Sequence, residues 1–203
     1  MIFVFPGMGA DNGMFSSEWR CLPKSRFLDW PRAWSAPSIR DLAVHMAQSA
    51  SISDGDTLIG TSLGGIVACE IAAILKIERI VLVGSAKKKE EISTLLRVLR
   101  PLVGLAPLGF ARQACGKLPS ELGAMFERSD PVFIRAMCRA IFQWEGFKPD
   151  FTALHRIHGA RDFVIPPPHD GELLVDGGHL IAMTHAERCV RLVEKVLQLP
   201  PLS

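Results

Sequence analysis

Several things are scarce in this 203-residue chain, and each absence removes a class of protein. There is no CxxC pair and no cluster of cysteine with histidine. The five cysteines (Cys21, Cys69, Cys115, Cys138 and Cys189) are odd in number and far apart, which argues against a zinc site or a disulfide framework and for buried free thiols in a reducing compartment. No apolar run reaches the roughly 18 residues of a membrane span; residues 101–110 are apolar but short and interrupted by proline. Residues 1–5 are apolar without a basic flank, so they do not read as a signal peptide, and the expected location is cytoplasmic. Net charge is scarce too. It is +2, from 23 Lys and Arg against 21 Asp and Glu, which excludes a nucleic-acid binder acting through bulk charge. No repeat or low-complexity tract is visible, and 48% hydrophobic with 22% charged residues excludes a disordered or fibrous chain.

What is present fits one domain, two at most, burying roughly 70% of the surface of its extended chain without a disulfide or metal staple. Short β-branched apolar segments at 2–5, 26–30, 57–60, 79–84, 154–158 and 172–175 read as strands. They are near-continuous rather than alternating, as expected of a parallel sheet covered on both faces. Helical patterns lie between them. Ser38 is placed to cap a helix with Ile39, Leu42, Ala43 and Met46 on one face, and residues 64–75 form a second helix, apolar on most sides. Thr184 and Glu187 have capping-box spacing for a last helix that Pro200 and Pro201 end. The alternation breaks between 86 and 150, where helical spacing (Ile92, Leu95, Leu96, Leu99; then Phe133, Met137, Cys138, Ile141 after Asp130-Pro131) predicts an insertion of three or four helices. Residues 87–150 hold eleven Lys and Arg against seven Asp and Glu, so this segment is +4 and the remainder −2. A solvated basic face is the ordinary explanation.

Gly60-Thr61-Ser62-Leu63-Gly64-Gly65 is a GxSxG pattern that follows an apolar strand and opens a helix. That setting is the one a nucleophile elbow needs: a sharp turn strains the serine backbone, flanking glycines avoid Cβ clashes, and the helix N-terminus favours developing negative charge. A serine nucleophile needs a base, and the base an orienting carboxylate. His158-Gly159-Ala160-Arg161-Asp162 puts Asp162 in the loop after one strand, and Asp176-Gly177-Gly178-His179 puts His179 after the next, at the sheet end where parallel folds hold ligands. Among the other histidines, His45, His155 and His185 fall on or beside helices and strands, His158 reads as structural, and His169 precedes the last strand, at the wrong end of the sheet. Asp150 and Asp170 are rival acids with the same fault of position. Residues 84–86, followed by three lysines, supply no acid after the fourth strand before Glu90.

Four blocks, Phe5-Pro6-Gly7-Met8-Gly9, residues 60–65, His158 to Asp162 with Ile165-Pro166, and Gly178-His179, resemble the α/β-hydrolase superfamily over essentially the whole length. The resemblance implies a three-layer α/β fold: a mostly parallel sheet of about six strands in the order 2-1-3-4-5-6, without the usual antiparallel edge. Residues 1–85 and 151–203 would form the core domain and 86–150 a helical cap. It assigns Ser62 as nucleophile, His179 as general base and acid, Asp162 as its partner, and the backbone N–H groups of Met8 and Leu63 as the oxyanion hole. Pro6-Gly7 departs from the common His-Gly of that loop. Serine at the elbow argues against dehalogenase or epoxide-hydrolase members, which use aspartate there.

The implied activity is hydrolysis of a carboxylic ester or thioester with a small or medium apolar acyl group, without metal or other cofactor. Met125, Phe126, Phe133, Met137, Phe142 and Trp144 are candidates to line the acyl pocket, although aromatic and methionine residues at helical spacing more often pack core. The basic cap permits an acidic acyl carrier protein as partner, with Lys87, Lys88, Lys89, Arg97 and Arg100 as the contact. A non-catalytic binding protein, or a lyase or perhydrolase using the same triad, are the alternatives.

Overall fold

The computed structural model describes residues 1–32, 34, 38–92, 124–125, 127–148, 152–174 and 176–199. Six strands form one sheet: β1 Ile2–Phe5, β2 Ser25–Phe27, β3 Thr57–Thr61, β4 Arg79–Val83, β5 Ala153–Gly159 and β6 Glu172–Leu174. Their order is β2-β1-β3-β4-β5-β6, and every neighbouring pair is parallel. This is the expected order. The connections run outward in both directions from the β1–β3 pair, so a crevice opens at the carboxyl ends of the strands there.

Period-two alternation sorts the strand side chains into two cores. Phe3, Phe5, Leu58, Ile80 and Leu82 face one layer, packed by α2 (Ile39–Ala50) and α3 (Leu63–Ala72). Ile2, Val4, Ile59, Val81, Val83 and Ile157 face the other, packed by α1 (Ser17–Arg20), α5 (Ile181–Thr184) and α6 (Ala186–Leu197). Both sheet faces are thus covered, which is why the strands read as unbroken apolar runs. Helix α4 (Pro131–Ala140) begins as the sequence suggests: Asp130 accepts the Val132 N–H and Pro131 opens the first turn. Its Phe133, Ile134, Met137 and Ala140 join the α2/α3 core. The rest of the 86–150 insertion lies largely outside the described residues.

Three local expectations need correction. Strand β2 is shorter than 26–30. Leu28 N–H still donates to Val4 O (2.9 Å), but Asp29 then takes the Asn12 N–H and amide (both 2.7 Å) and the Trp30 indole reaches Gly7 O (2.9 Å), drawing the chain out of the sheet. The Thr184–Glu187 capping box does not form. Thr184 ends α5, where its hydroxyl bonds Leu180 O (3.1 Å) and His185 Nδ1 (2.8 Å), and α6 starts after His185 without a side-chain cap. Helix α6 stops at Leu197 through a left-handed Gln198 (φ 55°), before the two prolines are reached.

Candidate active site

Ser62 stands between β3 and α3 with φ 49° and ψ −116°, a conformation unfavourable for any residue with a Cβ. The surroundings enforce it. A Cβ on Gly60 would lie 2.4 Å from Gly64 and Gly65 backbone, one on Gly64 2.6 Å from Pro6 O, and one on Gly65 2.4 Å from Ser85 Oγ. The turn closes only because these three positions are glycine. Ser85, fully buried, donates its hydroxyl to Ser62 O (2.6 Å), and Ser62 N–H donates to Val83 O (3.2 Å), so both sides of the serine residue are tied to the end of β4 and the loop after it.

The acid and base come from the loops after β5 and β6, further along the sheet. After β5, Asp162 N–H donates to Gly159 O (3.1 Å) and turns the chain, leaving the carboxylate buried. Its Oδ1 accepts the N–H groups of Val164 (2.9 Å) and Ile165 (3.0 Å). Its Oδ2 lies 2.8 Å from His179 Nδ1. His179 Nε2 lies 3.1 Å from Ser62 Oγ. The bare glycines make this convergence possible: a Cβ on Gly84 would sit 2.9 Å from His179 O, and one on Gly159 2.3 Å from Gly178 O. Burial pushes the Asp162 carboxyl upward, but hydrogen bonds from His158, His179 and Ile165 and the charge of His179 outweigh it and hold the group well below its ordinary value. Asp162 therefore stays ionised and accepts Nδ1–H, which leaves His179 Nε2 with the lone pair that faces the serine hydroxyl.

The loop after β1 borders the serine. A Cβ on Gly7 would be 3.8 Å from Ser62 Cβ. Trp30 holds Gly7 O, and Gly7 N–H points at Met14 Sδ (3.4 Å). The N–H groups of Met8 and Leu63 have no hydrogen-bond partner among the described residues, and Leu63 opens α3, where such donors are left over.

The expected acyl-pocket residues divide. Phe133, Met137 and Trp144 are buried in the α2/α3 core: Phe133 stacks on Trp30 (5.5 Å between ring centroids), and the Trp144 indole donates to Glu70 of α3 (2.9 Å). Met125 packs in the opposite core with Met14 and Phe15. Phe142 is only half-buried, and Phe126 lies outside the described residues. Of the expected carrier contact, Lys87 is ion-paired with Asp170, and Arg97 and Arg100 lie outside the described residues. The rivals His169 and Asp170 line a cavity of about 700 Å³ with Lys87, Glu91 and Pro166 to Pro168, and none of Ser62, Asp162 and His179 lines it. Beneath it, buried Arg156 binds Glu91 (2.8 Å), Asp170 (3.1 Å) and Ser85 O (3.3 Å), joining the start of the insertion to the acid loop. No group of three His, Cys, Asp or Glu side chains among the described residues is placed to hold a metal. No helix among them is long and apolar enough to cross a membrane.

Sequence reasoning missed the contacts of three residues here, among them His158, which it read as structural. Trp30 and Ser85 lie just past strand ends, facing the turn they brace, and only the strand order reveals it. His158 was legible in principle, because only three residues and a tight turn separate it from Asp162.

No protein-family model matches the chain, and no curated protein matches it. Solved structures do. A thermophilic esterase from Thermogutta terrifontis is 16% identical, with 97% of this chain and 89% of that chain covered at a TM-score of 0.75. The enol-lactonase from Burkholderia xenovorans LB400 is 19% identical, covering 97% and 90% at 0.75. The type II thioesterase BorB from the borrelidin biosynthetic cluster is 18% identical, covering 97% and 91% at 0.66. The chain thus has the α/β-hydrolase fold. Identities this low establish the fold and leave the chemistry to the site.

Proposed function

We propose that the protein is a serine hydrolase that cleaves a carboxylic ester or thioester through an acyl-enzyme on Ser62. The observation that carries this reading is the continuous hydrogen-bonded chain Ser62 Oγ, His179 Nε2, His179 Nδ1, Asp162 Oδ2, with separations of 3.1 and 2.8 Å. His179 takes the Ser62 proton as the oxygen attacks the acyl carbon, and returns it to the leaving alcohol or thiol when the tetrahedral intermediate collapses. Water then enters, gives its proton to His179, and releases the acid while Ser62 is reprotonated. Asp162 fixes the tautomer and stabilises the imidazolium. The N–H groups of Met8 and Leu63 form the oxyanion hole, where each donor contributes about 3–4 kcal/mol by analogy with other hydrolases. That esterases, a lactonase and a thioesterase share the fold is consistent with this chemistry.

The acyl group is small or medium and apolar. Its support comes from the half-buried apolar residues Met8 of the oxyanion loop, Val164 of the acid loop and Trp30, which holds Gly7 O, all packed against the α2/α3 core. The fully buried Phe133, Met137 and Trp144 form the wall behind them. Residues 86–150 are the proposed cap, and 1–85 with 151–203 the core domain. Treatment with a fluorophosphonate tests the reading: one adduct per chain is expected, on Ser62, together with loss of p-nitrophenyl ester hydrolysis. An adduct elsewhere, or ester turnover that survives Ser62→Ala, rejects it.

A further inference from the structure

We propose that His158 is a positioning residue of the triad, which fixes Oδ2 of Asp162 and shares the charge that His179 draws on. The inference rests on the triad reading above. His158 is fully buried near the end of β5, and its Nε2 lies 3.1 Å from Asp162 Oδ2, the oxygen that also receives His179. The same nitrogen is 2.8 Å from Ile165 O. A carbonyl only accepts, so Nε2 carries the proton, with Ile165 O as its hydrogen-bond acceptor and Asp162 Oδ2 as the second, longer contact. His158 Nδ1 is buried with no hydrogen-bond partner. Buried ring nitrogens are ordinarily both satisfied. Here the ring forgoes one bond, and its single N–H bonds Ile165 O beside the acid, with Asp162 Oδ2 3.1 Å from the same nitrogen.

The carboxylate bookkeeping shows what that bond does. An ionised carboxylate offers about four acceptor sites. Val164 and Ile165 N–H occupy Oδ1, His179 occupies Oδ2, and His158 Nε2 stands 3.1 Å from that same oxygen. With all four donors in place the group has one orientation, and the negative charge of Oδ2 is divided between two imidazoles. Without His158, the carboxylate regains freedom to rock about its Cβ–Cγ bond, and His179 faces an undivided charge. Positioning worsens while the attraction for a proton on His179 grows. The groups facing the two rings are few: Asp162 touches both and Ser62 touches His179. Arg156, a cation bound by Glu91 and Asp170, lies two residues away on the same face of β5.

The test is an NMR pH titration of the His179 ring in ¹⁵N-histidine-labelled protein, run beside kcat and KM on a p-nitrophenyl ester. His158→Leu removes the donor; His158→Gln keeps an N–H near the position of Nε2. In His158→Leu the His179 midpoint rises by roughly half a unit or more. The acid limb of kcat/KM moves with it, kcat falls about tenfold, and KM stays within about twofold. His158→Gln restores the wild-type midpoint and most of kcat. An unchanged midpoint in His158→Leu, or a glutamine variant indistinguishable from the leucine variant, overturns the proposal. Should the leucine variant not fold, His158→Asn, whose amide is too short to reach Oδ2, takes its place with the same two outcomes. Failure of the hydrolase reading is separately visible: Ser62 would take no phosphonate, while the titration would still report the linkage between His158, Asp162 and His179.

Discussion

Two regions of this molecule follow different rules. At the carboxyl ends of β3, β4, β5 and β6, glycines and short polar side chains crowd so closely that a single Cβ at Gly60, Gly65 or Gly159 would overlap its neighbours. In the described end of the insertion, from Pro131 to Trp144, bulky side chains fill a core between α4 and the α2/α3 layer. The first region spends its sequence on geometry, holding a serine in strained backbone and a carboxylate among four donors. The second spends it on burial. Substitutions should therefore separate them: at the triad corner the loss of rate far outweighs any loss of stability, and in the insertion the loss of stability outweighs any loss of rate per folded molecule.

The largest expected effect is Ser62→Ala, which should lower kcat on an activated ester by about five to six orders of magnitude. Its thermal midpoint should stay within a few degrees of wild type, since the Ser62 side chain caps nothing in α3. Asp162→Asn comes next, with a fall in kcat of about three to four orders of magnitude, because an amide presents a donor or weaker acceptor to His179. On the other side of the comparison, Met137→Ala should cost about 2–5 kcal/mol of unfolding free energy in urea, with activity per folded molecule retained within a few-fold. Trp144→Phe is milder. It leaves Glu70 without its indole donor and should cost about 1–2 kcal/mol, measured the same way. A Met137→Ala variant that stays stable but inactive would collapse the distinction.

The smallest effect is in pH. Asp162 is depressed below its ordinary value of 3.8. A group lowered on folding contributes its stability in full above the unfolded value and loses it as pH falls toward the folded one. Thermal melts of wild type and Asp162→Asn should thus differ by a constant margin above about pH 5 and converge below about pH 4. Convergence at higher pH would mean the carboxylate is not held as the geometry indicates.

How far the sequence foretold these regions follows from the same contrast. Strand order and the Ser62, Asp162 and His179 cluster were legible because glycine-flanked motifs sit at fixed points in a βα alternation, and topology then brings their loops together. Helix α2 was legible down to its Ser38 cap, which accepts the Asp41 N–H (3.0 Å). Less was visible where tertiary contacts override local pattern. Thr184 and Glu187 had the right spacing, but a preceding helical turn claims Thr184. Trp144 looked available to a ligand, yet Glu70, 74 positions earlier in the chain, holds its indole. His158 looked structural because its partner is set by a turn whose shape the sequence does not spell out.

The central claim is that Ser62 becomes acylated. It is tested most directly by mixing the protein with p-nitrophenyl butyrate, quenching in acid within the first turnovers, and mapping the added mass by peptide fragmentation. The account predicts a butyryl group on Ser62, at up to one per chain, matched by a burst of p-nitrophenol of the same size and absent in Ser62→Ala. A burst of that size with the acyl group on another residue, or a burst undiminished in Ser62→Ala, would contradict it.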